Sequence, residues 1–86
     1  MPQVTQDIDA SVRAILEQHA RLNSPAAGLA ADADLYQAGL SSHASVNVML
    51  ALEGSFDLEF PDRLLTRSVF QSIAAIRSAV LELSPP

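Results

Sequence analysis

No stretch of this chain alternates apolar and polar residues over a length that would make a strand. Three stretches instead carry apolar residues at helical spacing. That contrast restricts the chain to packed helices. In the first stretch, residues 7–22, one stripe runs through Ile8, Val12, Ile15, Leu16, His19 and Leu22. Asp7 and Asp9 at its start and Arg21 in its last turn suit the helix dipole. Thr5 or Asp7 is the candidate N-cap, and residues 1–5 read as a frayed start. His19 reads as a partly buried packing residue.

Asn23-Ser24-Pro25 ends that helix, because the residue before proline avoids the helical region. The connection that follows, residues 23–40, is long for a small domain, and such loops are often functional. Leu29, Leu35, Tyr36 and Leu40 are expected to pin it to the core, with Asp32 and Asp34 available to cap a short turn. Ser41 is the expected N-cap of a second helix, residues 42 to about 56. Its inward positions are taken as Val46, Met49, Leu50 and Phe56, flanked by Ala51 and Leu52, with Gly54 weakening the last turn. On that reading Leu50→Ala costs about 2–5 kcal/mol. After a break at Phe60-Pro61-Asp62, either Pro61 or Asp62 opens a short third helix through Leu64 and Leu65. Ser68 and Gln71 form a capping-box pattern. It opens a last helix with Val69, Ile73, Ile76 and Val80 on one face, and Pro85-Pro86 ends it. The expected fold is all-α, a small four-helix bundle of three main helices and one short one, with a long loop after the first. A single domain is expected over residues 1–86, with its core at about 7–83.

Composition removes several functions. There is no cysteine, so neither a disulfide framework nor a thiolate metal site is possible. The formal net charge is −5 and the five cations are scattered arginines, which is poor equipment for gripping a phosphate backbone. No apolar run approaches the roughly 18 residues that span a bilayer. No basic start followed by an apolar stretch marks a signal peptide, so a cytoplasmic location is expected. Neither nucleic acid nor membrane is an expected partner, and nothing in the sequence demands a dimer, so a monomer is expected.

The chemistry concentrates where the long loop meets the second helix, at Gly39-Leu40-Ser41-Ser42. A serine there stands beside unpaired backbone N–H groups and the positive end of the helix dipole. A phosphodiester on that hydroxyl would be electrostatically welcome.

Here the chain resembles the acyl and peptidyl carrier proteins. Leu35-Tyr36-Gln37-Ala38-Gly39-Leu40-Ser41-Ser42 matches that family's Leu/Phe-x-x-x-Gly-Leu-Asp-Ser run. Val46-Asn47-Val48-Met49-Leu50-Ala51-Leu52-Glu53 matches the rhythm of its second helix. Phe56 and Leu58-Glu59-Phe60-Pro61-Asp62 match the segment before its third helix, and Val69, Ile73 and Ile76 fall where its last helix packs. The resemblance implies a covalent 4′-phosphopantetheine arm on Ser42, with Gly39, Leu40, Ser41 and His43 beside it. It implies partner contacts at Val46, Asn47, Met49 and Glu53. A phosphopantetheinyl transferase would install the arm from coenzyme A. An acyl- or amino acid-activating ligase would load it as a thioester, and a downstream acceptor enzyme would take the cargo. The protein itself would not be an enzyme.

Two departures refine the resemblance. Ser41 stands where the family usually has aspartate, which adds a second hydroxyl beside Ser42, and His43 stands where an apolar residue is usual. The second helix holds only one acid, Glu53, so steering by charge on that face is weak. The serine pair and the acid-poor helix resemble the small aminoacyl carrier proteins, which are loaded by amino acid:carrier-protein ligases. The alternatives are an acyl carrier for fatty-acid or polyketide-type synthesis, and an unmodified carrier-fold adaptor.

Other readings carry less. Ser42 and His43 are adjacent on a helix and point in different directions, so they make a poor nucleophile and base. His19, His43, Asp32 and Asp34 have no ligand spacing, and no metal is expected. Asp57, Glu59 and Asp62 read as a solvated acidic rim. Arg63 and Arg67 read as surface cations that could also meet the arm's phosphate or an acidic partner.

Overall fold

The computed structural model describes residues 4–83, and side chains for residues 8–83. Its α-helices are α1 (Val4–His19), α2 (Ser42–Phe56) and α3 (Ile73–Leu83), and no strand occurs among the described residues. Helix α1 packs against both α2 and α3.

Ile8, Val12, Ile15 and Leu16 of α1 are buried, as their spacing requires. The helix already runs at Val4, so Val4 and Thr5 are not frayed, and Thr5 and Asp7 lie inside the helix rather than at its N-cap. Residues 1–3 and the stop expected at Pro85-Pro86 lie outside the described residues. The C-terminal end also differs from expectation. Arg21 takes a left-handed backbone, φ 53°, just after Ala20 closes its bond to Leu16. The helix therefore stops at His19, before the Asn23-Ser24-Pro25 break, and Arg21 is outside its last turn. Ala20 fills the buried position, His19 is exposed, and Leu22 packs at the core's edge.

The long loop is a built element. Ala26, Leu35 and Leu40 are buried, and Leu29 and Tyr36 pack against the core. Asp34 Oδ1 accepts from the amides of Tyr36 and Gln37, at 2.9 and 3.3 Å, which is the turn cap expected of it. The Leu35 amide donates to the Gln71 carbonyl at 2.7 Å, and the Ala74 amide to the Ala31 carbonyl at 2.9 Å, so the loop is stitched to the start of α3. From α1, Glu17 accepts the Ala26 amide at 2.8 Å. Arg13 donates to the carbonyls of Ala26 and Leu29 at 2.8 and 2.7 Å. It also bonds Asp9, which in turn accepts from Arg77 of α3 at 3.0 Å. One arginine thus ties two loop carbonyls to α1, and the Ala26 carbonyl also accepts the Leu29 amide at 3.2 Å. Arg13→Met is expected to cost about 1–3 kcal/mol, since bonds to a charged donor are lost together. Denaturant melts check the cost, and amide exchange should quicken around residues 26–29.

Helix α2 turns a different face inward from the one its sequence suggested. Ala44, Val48 and Leu52 are buried at steps of four, while Val46 and Leu50 are 50% and 56% exposed. Met49, Ala51 and Phe56 are partly buried. The helix runs to Phe56, the end expected of it, and closes with Asp57 in the left-handed region.

The short helix expected through Leu64 and Leu65 is not an α-helix. It is a 3-10 turn, Asp62–Leu64, followed by a second, Arg67–Phe70, with the extended Thr66 between them. Phe60 and Phe70 are buried, and their rings pack at 5.7 Å. The last helix starts later than the Ser68–Gln71 pattern implied. Gln71 gives its carbonyl to Leu35, and Ser72 Oγ instead accepts from the Ala75 amide at 3.0 Å. Ser72 is therefore the N-cap of α3. Ile73, Ile76 and Val80 are fully buried as expected, and Val69 packs on the core from outside the helix.

Candidate functional site

The turn that delivers the chain into α2 is locally determined. Leu40 bonds back to Leu35 at 2.9 Å, and Gly39 bonds to Tyr36 at 3.2 Å with φ 115°. That backbone suits glycine, and a Cβ there would come within 3.2 Å of Asn23 Oδ1. Leu40 is 4% exposed, so its side chain anchors the turn from the core.

The two serines divide their roles. Ser41 is the N-cap in extended backbone, and its Oγ accepts the Ala44 amide at 3.0 Å. Its carbonyl accepts the Ser45 amide at 2.9 Å. Ser42 is the first residue of α2 and is exposed. Its carbonyl accepts from Ser45 Oγ at 2.7 Å, while its own hydroxyl makes no hydrogen bond among the described residues. One hydroxyl is thus committed to the helix, and the other is presented to solvent above the open first turn. A phosphodiester joined to Ser42 would lie by those free amides, where an anion is favoured.

Beside Ser42 lies a shallow cavity of about 310 Å³ lined by Tyr36, Ser45, Val46, Leu65, Arg67 and Phe70 among others. The Arg67 guanidinium carbon is 3.8 Å from the Tyr36 ring centroid. Burial raises the Tyr36 hydroxyl above its ordinary pKa, Arg67 pulls it down and Asp34 pushes it up. The phenol is therefore neutral at physiological pH. On the other side of the turn, His43 and Asn47 share a second hollow with His19, Arg21, Gly39 and Ser41. The sequence reading missed Ser45, Leu65, Thr66 and Phe70. Ser45 comes from α2, Leu65 and Thr66 from the link between the two 3-10 turns and Phe70 from the second turn, and only the fold brings them to Ser42.

The expected partner residues separate in the same way. Val46 and Asn47 are exposed on α2. Met49 is half-buried against the core. Glu53, the one acid of the helix, accepts the Phe60 amide at 2.8 Å and so ties down the following segment. Glu53 is a structural tether more than a free docking charge. Among the described residues no cluster of three or more acids and histidines could hold a metal ion.

Known proteins match this arrangement. Residues 9–79 match the family described as phosphopantetheine attachment site. The chain is 51% identical over 73 residues to the aminoacyl carrier protein of Agrobacterium fabrum, covering 85% of this chain and 88% of that one. It is 36% identical over 75 residues to aminoacyl carrier protein 1 of Bradyrhizobium diazoefficiens, covering 87% and 79%. It also superposes, with a TM-score of 0.85 and 49% identity, on a chain in a crystal structure of an engineered Bradyrhizobium japonicum glycine:[carrier protein] ligase. That structure is complexed with carrier protein from Agrobacterium tumefaciens and ATP, and the match covers 88% of this chain and 99% of that one.

Proposed function

Because the chain belongs to the phosphopantetheine-attachment family of carrier proteins, whose members are not enzymes, we propose that it is an aminoacyl carrier with its arm on Ser42. The observation that carries the assignment is the division of labour between the serines. Ser41 Oγ is held by the Ala44 amide, and Ser42 Oγ is exposed and unbonded among the described residues. The bound 4′-phosphopantetheine supplies a terminal thiol, which the cysteine-free chain lacks, and holds the cargo as a thioester. The chain supplies position. Ser41 keeps the helix start rigid, Gly39 makes the turn, and His43 lines the flank. The 3-10 pair at Asp62–Leu64 and Arg67–Phe70 stands in for the short helix of a four-helix carrier bundle.

The outward Val46 and Leu50, with Asn47 beside them, form the face for partner enzymes. α2 carries a single acid, itself engaged, so docking there depends on short-range apolar contact and depends little on salt. The partners on this reading are a phosphopantetheinyl transferase, an amino acid:carrier-protein ligase and an acceptor enzyme. The chain acts as a single monomeric domain in the cytoplasm, and among the described residues no helix is long and apolar enough to cross a membrane.

The test is loading. Protein already bearing the arm is incubated with ATP, a ligase of the glycine-activating type and a panel of small amino acids. The expected product is one aminoacyl group per chain, released by hydroxylamine. Loading by a fatty-acid-activating enzyme and by no amino acid would make the chain an acyl carrier. A folded chain that accepts no arm would be an adaptor.

A further inference from the structure

The arginines are not equivalent once folded. Arg13 and Arg77 both bond Asp9, and Arg63 pairs with Glu82 at 2.7 Å. Among the described residues Arg21 and Arg67 alone have no carboxylate partner. Arg21 lines the hollow on the Ser41 and His43 side. Arg67 lines the cavity that Ser42 lines, held over the Tyr36 ring. Asp34 lies close to the same pair. However, its oxygens accept from the Tyr36 and Gln37 amides and from the Gln71 side chain, not from Arg67. The result is a cation with a fixed platform, no direct ion-pair partner, and an exposed hydroxyl on the same cavity wall.

We propose that Arg67 holds the phosphodiester of the group carried on Ser42, with Tyr36 as the platform that keeps the guanidinium at the cavity. This rests on Ser42 being the point of attachment. A phosphodiester carries one negative charge at neutral pH, and the planar guanidinium fork matches two of its oxygens. On a chain of formal net charge −5, a further anion is opposed by the general field, so a local cation decides where that phosphate lies. Pairing at Arg67 directs the arm from Ser42 across the cavity wall of Val46, Leu65 and Phe70, and away from the His43 side.

The test compares thermal unfolding of each protein with and without its arm, for wild type, Arg67→Gln, Arg63→Gln and Arg21→Gln. Intact mass first shows that one arm has been added, and its loss in Ser42→Ala shows that Ser42 carries it. Failure there overturns the attachment reading and this proposal with it, before any melt is run. With the arm in place, wild type is expected to melt about 1–5 °C higher than without it, as for a single exposed charge pair. The gain should shrink at about 1 M salt. In Arg67→Gln it should fall to the remainder that the start of α2 supplies by itself, and it should persist in full in Arg63→Gln and Arg21→Gln. Because each variant is compared with itself, loss of the Arg67–Tyr36 stack cancels. A gain that is undiminished in Arg67→Gln, is absent in wild type, or falls in Arg21→Gln instead would overturn the proposal.

Discussion

Leu52→Ala is expected to lower the unfolding free energy by about 2–5 kcal/mol, while Leu50→Ala changes it by less than about 0.5 kcal/mol. The two leucines are two residues apart on the same helix, but Leu52 is fully buried and Leu50 is 56% exposed. Truncating Leu52 opens a cavity beneath α1 in a core whose other large members, Leu16, Leu35, Ile73 and Ile76, are also fully enclosed. Truncating Leu50 removes atoms that mostly face water, and alanine is the better helix former. Denaturant melts of the two variants decide the face of α2. Equal losses, or a larger loss at Leu50, would mean that the helix packs in the register its sequence first suggested. The same Leu50→Ala protein should be loaded less well by a ligase, since the exposed stripe is the proposed docking face.

The misreading of α2 has a physical origin. From Val48 to Leu52 every residue is apolar, so the helix has no sharp polar face and its sequence period does not select a side. What selects the side is outside the helix, in the core against which Ala44, Val48 and Leu52 pack. Helices α1 and α3 were legible because polar residues interrupt their stripes. Arg21 and Ser72 show the limits at helix ends. A left-handed arginine and a second serine four residues past Ser68 are invisible to a pattern that stops at the first plausible cap. At the site, Ser42 and its glycine turn were legible because they are contiguous in sequence. The opposite wall, Leu65 to Phe70, was not, because those residues reach Ser42 through tertiary contacts: the Leu35–Gln71 and Ala31–Ala74 backbone bonds, the Glu53–Phe60 bond and the Phe60–Phe70 packing. Arg13 was missed likewise, since its carbonyl partners are on a loop whose path the sequence does not give away.

Ser42→Ala is expected to abolish attachment of phosphopantetheine and every later loading step, while leaving the fold intact. Ser42 Oγ supports nothing else among the described residues, so its loss removes chemistry without removing structure. Ser41→Ala should do the reverse. It loses the bond to the Ala44 amide and about 0.5–2 kcal/mol of stability, yet retains the hydroxyl that is modified. The pair therefore separates a structural serine from a functional one within a single turn of backbone.

The most direct measurement is the intact mass of wild type, Ser42→Ala and Ser41→Ala after incubation with coenzyme A and a broad-specificity phosphopantetheinyl transferase. The expected result is one phosphopantetheine added to wild type and to Ser41→Ala, and none to Ser42→Ala. A gain that survives in Ser42→Ala and is lost in Ser41→Ala, or no gain in a folded wild-type chain, would contradict it.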